Sequence, residues 1–205
     1  MPRSQGPLCA RCEIGVLGAF GPSPICRSCR VRPLAFEAAC APWSYVGAVR
    51  EAVRSFKYRH HRRIGQWLAR DMAAWGSRCL PMDRIDLILP VPLHWLKERL
   101  RGFNPAAQLA EAVAEALRKP CESASLTRRR WTATQTALTW RARWRNVQDT
   151  FTANPHVIRG RSVLLIDDVL TSGATAHACS LALKDAGARR VYVLTAARTP
   201  RAPST

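Results

Sequence analysis

Apolar positions along this 205-residue chain follow two rhythms. Short continuous runs of Val, Ile and Leu occur at Val163 to Ile166, within Ile85 to Val91 (IDLILPV) and within Arg190 to Ala196 (RVYVLTA). Such runs fit strands covered on both faces, as in parallel sheets. Elsewhere the spacing is helical: Val49, Val53 and Phe56; Ile64, Leu68, Met72 and Trp75; Leu109, Val113 and Leu117. Asn104 is a good helix N-cap and Pro105 a good first helical residue. Ala176 to Ala186 has helical composition with a stop at Gly187. Strand, helix and strand in series predict an α/β fold with a central, mostly parallel sheet and a ligand at the strands' carboxyl ends. Pro33 to Pro42 reads as a connector, and Leu93 to Phe103 as a loop after a strand whose ladder ends at Pro90 and Pro92.

The densest chemistry follows the Val163 strand, in the stretch SVLLIDDVLTSGAT from Ser162 to Thr175. Asp167 and Asp168 fall at the strand's carboxyl end, and Thr171, Ser172, Gly173, Ala174 and Thr175 lead into the next helix. Small residues let backbone N–H groups close around an anion at a helix N-terminus, and the hydroxyls can donate as well. Carboxylates accept hydrogen bonds from a vicinal diol or coordinate Mg²⁺. Diol and phosphate recognition side by side suggests a ribose 5-phosphate. Neighbouring strand residues point to opposite faces, so both acids reach one sugar only if the chain turns at Asp168.

Near the N-terminus, Cys9, Cys12, Cys26 and Cys29 form two C-x2-C pairs separated by thirteen residues. Each pair can present two thiolates to one tetrahedral ion, and zinc is the natural occupant. Gly and Pro fill the intervening loop, so metal would supply folding energy that a core this small cannot. Four ligands close the coordination shell, which makes the site structural. Cys40, Cys79, Cys121 and Cys179 are scattered singly and read as buried or incidental.

Charge widens the range of partners. Lys and Arg number 32 against 14 Asp and Glu, a formal net charge of +18, so anionic ligands are expected: phosphorylated metabolites or nucleic acid. The basic run from Lys57 to Arg63 has two open readings, a phosphate contact or a solvated helix connection. Ser125 to Phe151 lacks internal Gly and Pro, and its arginines alternate with Trp131, Trp140 and Trp144. It reads as an active-site lid, a surface stacking on single-stranded bases, or a basic helical hairpin. No apolar segment approaches the roughly 18 residues that span a bilayer, and the N-terminus lacks a signal-peptide core, which predicts a cytoplasmic protein. Cysteines there serve metals or stay as buried thiols in preference to forming disulfides.

The Ser162 to Thr175 stretch resembles the phosphoribosyl diphosphate (PRPP) signature of type I phosphoribosyltransferases. Over nearly the whole chain the order of parts resembles the ComF family of competence-associated, amidophosphoribosyltransferase-like proteins. The four-cysteine ribbon matches in position, as do Tyr45, Gly47, Lys57 and Tyr58, then Pro90, Val91 and Pro92 with Arg101, Gly102, Phe103 and Asn104, and finally Arg130, Thr132, Gln135, Leu138, Arg143, Asn146 and Phe151. Pro105, where the family more often has a polar residue such as Gln, and the tryptophans of the Arg-rich loop depart from its pattern. The resemblance implies a type I phosphoribosyltransferase fold over residues 43–198, preceded by a zinc ribbon (1–32) and a connector (33–42) and followed by a flexible tail (199–205). It also implies a pocket for PRPP with Mg²⁺ and an association with DNA uptake. On the enzymatic reading, Asp167 and Asp168 engage the ribose, Arg101 stabilises departing diphosphate, and Lys57 with Thr171 to Thr175 binds PRPP. On the alternative reading the protein is a non-catalytic accessory that binds single-stranded DNA, with Arg130, Gln135, Arg141, Arg143, Arg145 and Asn146 as candidate contacts. No Cys at the N-terminus suits glutamine hydrolysis, since Cys9 is committed to metal.

Overall fold

The computed structural model describes residues 8–14, 16, 24–31, 33–93, 95–129 and 150–200. Three apolar runs become the central strands, β3 (Leu87–Pro90), β6 (Ser162–Leu170) and β7 (Arg190–Arg198). Two short strands, β1 (Ala38–Cys40) and β2 (Trp43–Ser44), both pair with β7, giving a parallel sheet in the order β1-β7-β6-β3 with β2 continuing the β1 edge. The stretch read as a connector therefore contributes an edge strand. Its three residues, Ala-Ala-Cys, have too little pattern to announce a strand, and pairing with β7 supplies the backbone partners they need.

Side-chain alternation in β6 divides the core. Leu164 and Ile166 pack with Val53 and Phe56 of α2 (Gly47–Arg59), Leu68 and Met72 of α3 (Arg62–Cys79), and Leu109 and Val113 of α5 (Pro105–Leu117). Val163 and Leu165 pack on the opposite face with Cys179 and Leu183 of α7 (Ala174–Asp185) and with Ile158 of the short helix α6 (Pro155–Ile158). This period of two on a strand covered twice is what makes the run read as uninterruptedly apolar. Helices α2 and α3 come close because Gly65 lies against the Phe56 ring, where an added Cβ would meet a ring carbon at 2.6 Å.

Two boundaries differ from expectation. β6 does not stop at Ile166: it continues through both acids to Leu170, held by β7 as far as the Leu170–Arg198 pair. The Leu93 to Phe103 segment contains a helix, α4 (Trp95–Arg101), before Asn104 caps α5. The Asn104 carboxamide accepts from the Ala106 amide at 3.0 Å and donates to the Val91 carbonyl at 3.2 Å, joining the end of β3 to the start of α5. Beyond the end of β7, the Thr199 amide bonds the Leu170 carbonyl at 3.1 Å.

Of the Ser125 to Phe151 segment, the structure describes the two ends: β4 (Leu126–Arg128) pairs antiparallel with β5 (Phe151–Ala153) beside α7. The candidate contacts Arg130, Gln135, Arg141, Arg143, Arg145 and Asn146 lie outside the described residues. Cys9, Cys12, Cys26 and Cys29 form a separate small cluster with Ile14 and Val16, next to the helical turn α1 (Arg27–Val31). No helix among the described residues is long and apolar enough to cross a membrane.

Candidate functional site at the carboxyl end of β6

Asp168 leaves β6 toward the last turn of α2, where the Lys57 ammonium meets its carboxylate at 2.8 Å. Both side chains are mostly enclosed, with 20% and 14% of their surface exposed for Lys57 and Asp168. Lys57 is therefore part of a helix packed on the sheet and not of a solvated connection. Burial works to lower its pKa, but the charges of Asp168 and Asp167 outweigh that, and the ammonium is held above its ordinary value.

Asp167 has a different environment. Burial first, and the neighbouring Asp168 charge second, raise its carboxyl to about 7, with Lys57 partly opposing. Its Oδ1 accepts from the Asp168 amide at 2.8 Å. Arg128 of β4 and Cys179 of α7 are its electrostatic neighbours: burial lowers the Arg128 pKa, and burial with the Asp167 charge pushes the Cys179 thiol well up. The chain does not turn at Asp168, so the two carboxylates do not converge as a symmetric pair. Asp168 is the one gripped by a cation from α2, while Asp167 braces the backbone beneath it.

Immediately beyond, Thr171, Ser172 and Gly173 lead into α7. Gly173 is the N-cap, with φ of +79°, a left-handed conformation that L side chains rarely adopt. Ser172 Oγ accepts from the Ala174 amide at 3.3 Å, and Thr171, Ser172 and Thr175 are partly exposed. A helix N-terminus behind small and hydroxyl residues suits a phosphate.

Arg101, at the end of α4, lies with its guanidinium 5.0 Å from the centre of the exposed Tyr58 ring. The next helical residue after Tyr58, Arg59, closes α2, and His60 then turns left-handed (φ +53°) and stacks on Phe103 with ring centres 4.0 Å apart. Arg101 thus meets α2 through Tyr58, and of the two cations Lys57 is the one that contacts an acid of β6.

The four cysteines also come together: one sulfur from each of Cys9, Cys12, Cys26 and Cys29 lies within 4.8 Å of the others, and all four residues are buried. This cluster can hold a metal ion. Its ribbon is tied to the sheet edge by the Ala39 amide on the Arg11 carbonyl (2.9 Å) and the Ala41 amide on Glu13 Oε2 (2.8 Å). Arg128 and Cys179 as neighbours of Asp167 were not anticipated. Arg128 is far from it in sequence and comes near through the β4–β5 ribbon, and Cys179 comes near through the packing of α7 on the sheet.

Over 202 residues the chain is 31% identical to the DNA utilization protein YhgH of Salmonella typhi, covering 96% of this chain and 86% of that protein. The chain belongs to the YhgH family of DNA utilization proteins. Competence protein F of Haemophilus influenzae is a further relative of this YhgH-family chain, 27% identical over 159 residues, with 75% of this chain and 69% of that protein covered. No protein-family model matches. Among solved structures, glutamine phosphoribosylpyrophosphate (PRPP) amidotransferase from B. subtilis overlaps 71% of this chain and 25% of that one, at 20% identity and a TM-score of 0.40. Homology to competence proteins is thus found, as the ribbon and strand motifs imply, and this YhgH-family chain combines a cysteine cluster with an α/β core.

Proposed function

We propose that the carboxyl end of β6 binds PRPP with Mg²⁺ and that the protein transfers the phosphoribosyl group to an acceptor, releasing diphosphate. The observation that carries this reading is the coincidence, within one strand-to-helix junction, of the Lys57–Asp168 pair and the Thr171 to Thr175 loop. In the proposed complex the loop amides and hydroxyls hold the 5-phosphate, and Asp168 accepts hydrogen bonds from the ribose hydroxyls. Asp167, bonded to the Asp168 amide, keeps that backbone in place. Lys57 and Arg101 stabilise the diphosphate as the bond from its oxygen to the ribose C1 breaks, with the electron pair leaving on oxygen, and the acceptor forms the new bond at C1. Oxygen donors are what a hard dication takes, so Asp168 is the carboxylate that would hold Mg²⁺. Bound Mg²⁺ would offset the charge of departing diphosphate. We assign zinc to the four cysteines, since thiolates alone in a closed set of four suit that ion.

Titration calorimetry with PRPP and Mg²⁺ tests the reading. The wild type should bind, and Asp168→Asn should weaken binding at least about tenfold, as expected for loss of a charge-assisted contact. Failure of the wild type to bind, or binding unaffected by Asp168→Asn, sinks it. Diphosphate release on adding candidate acceptors then separates a transferase from a binding protein.

The net charge of +18 and the names of the relatives favour a second activity in DNA handling. Single-stranded DNA binding that falls steeply with salt is the expected result; binding insensitive to salt counts against it.

A further inference from the structure

Arg198, the last residue of β7, touches three parts of the molecule at once. Its guanidinium Nη1 donates to the carbonyl of Cys12, inside the cysteine cluster. Its own carbonyl accepts from the Tyr45 amide at 2.7 Å. Across the sheet it stands in register with Leu170, the residue before Thr171, and the Thr199 amide donates to the Leu170 carbonyl at 3.1 Å. One residue therefore joins the cysteine ribbon to the strand end from which the Thr171 to Gly173 loop departs.

The environment of the guanidinium is incomplete as it stands. Among the described residues its buried Nε has no hydrogen-bond partner and no carboxylate pairs with Arg198. Arg198 itself is half-buried, but enclosing part of a guanidinium is costly unless an anion faces it. The cysteine cluster is such an anion once it holds a metal: four thiolates around a divalent cation keep a net negative charge. Outer-shell groups that neutralise such a site also orient it.

We propose that Arg198 is a positioning residue that couples metal occupancy of the Cys9, Cys12, Cys26 and Cys29 site to the conformation of the Leu170 to Gly173 strand end. With metal bound, the anionic cluster holds the guanidinium and keeps β7 in register with Leu170. Without metal the counter-charge is lost, and the end of β7 and the loop beside it loosen together. The ribbon then governs whether the loop is preformed for an anion, a consequence that rests on the phosphate role proposed above.

Hydrogen–deuterium exchange of the full chain tests this without any ligand. Removing metal with a chelator should speed exchange at residues 170–173 and at Thr199 by at least about fivefold, the lower range of measured site-to-site coupling. Arg198→Gln, with metal retained, should show the same acceleration, and metal removal should add nothing to it. Arg198→Lys, which keeps the charge, should fall between. Amides of Val191 to Val193 in the buried middle of β7 report whether each variant is folded, and should stay protected. The coupling is overturned if metal removal loosens only ribbon amides, if Arg198→Gln leaves the loop like the wild type, or if purified protein carries no metal. Failure of the wild type to bind PRPP would defeat the function proposed above and leave this result standing.

Discussion

At the amino end of β6 the Asp86 carboxylate accepts from the Ser162 amide at 2.7 Å and pairs with Arg189 at 3.2 Å, with 42% and 61% of the two side chains exposed. At the carboxyl end of the same strand Asp168 pairs with Lys57 at 2.8 Å, and most of both side chains is enclosed. Asp86 at the first end and Asp167, the neighbour of Asp168, at the second are shifted in opposite directions. The Ser162 amide and then Arg189 hold Asp86 below the usual carboxylate range, whereas burial raises Asp167 to about 7. The first arrangement is a brace that water could replace. The second keeps charge where water cannot reach it easily, and such charge is retained where something other than stability requires it.

Lys57→Met is the severest way to break this contrast, since it leaves Asp168 enclosed without its cation. A loss of about 3 kcal/mol in urea unfolding is expected, together with loss of PRPP binding; a change below about 1 kcal/mol would make the two ends of β6 equivalent. Next, Asn104→Ala removes a helix cap and the bond to Val91 beside the same strand end, at a cost of about 1–2 kcal/mol by the same measurement.

Asp167→Asn sharpens the comparison through pH. Because the folded carboxyl titrates near 7 and the unfolded one near its ordinary value of about 4, Asp167 contributes stability that is full below pH 4 and is lost as pH rises through 7. Asp86 works in the other direction: its depressed pKa gives stability that is present above its unfolded value and lost as pH falls through the folded one. Asp167→Asn should therefore be more stable than wild type at pH 8 and match it at pH 4, read from urea midpoints. An unchanged pH profile would show that Asp167 is not held near neutrality. The smallest effect belongs to Arg189→Ala, about 0.5 kcal/mol for an exposed pair, with PRPP binding untouched.

Sequence pattern located the interior of this fold better than its margins. β3, β6 and β7 were legible because continuous Val, Ile and Leu leave few alternatives, and α5 because Asn104 and Pro105 mark its start. β1 and β2, three and two residues long, have no period of their own and exist through pairing with β7. The continuation of β6 past Ile166 was hidden for the same reason: acids are poor strand formers, and partners in β7 decide. Of the candidate site, Asp168 and the loop could be picked out locally. Lys57 came from family resemblance, and its contact with Asp168 depends on how α2 lies over the sheet. Arg198 had no signal at all, because its contacts are made with segments distant in sequence, at Cys12 and Tyr45.

Gly173 separates two things that glycine usually supplies together. Among the described residues an added Cβ there would meet nothing within 4 Å, so volume is not what excludes a side chain. The φ of +79° is, and that is a matter of handedness. The entrance to α7 is thus guarded by chirality alone: roomy enough for a larger residue, yet closed to most L-amino acids, and most nearly open to Asn, whose short polar side chain tolerates the left-handed region.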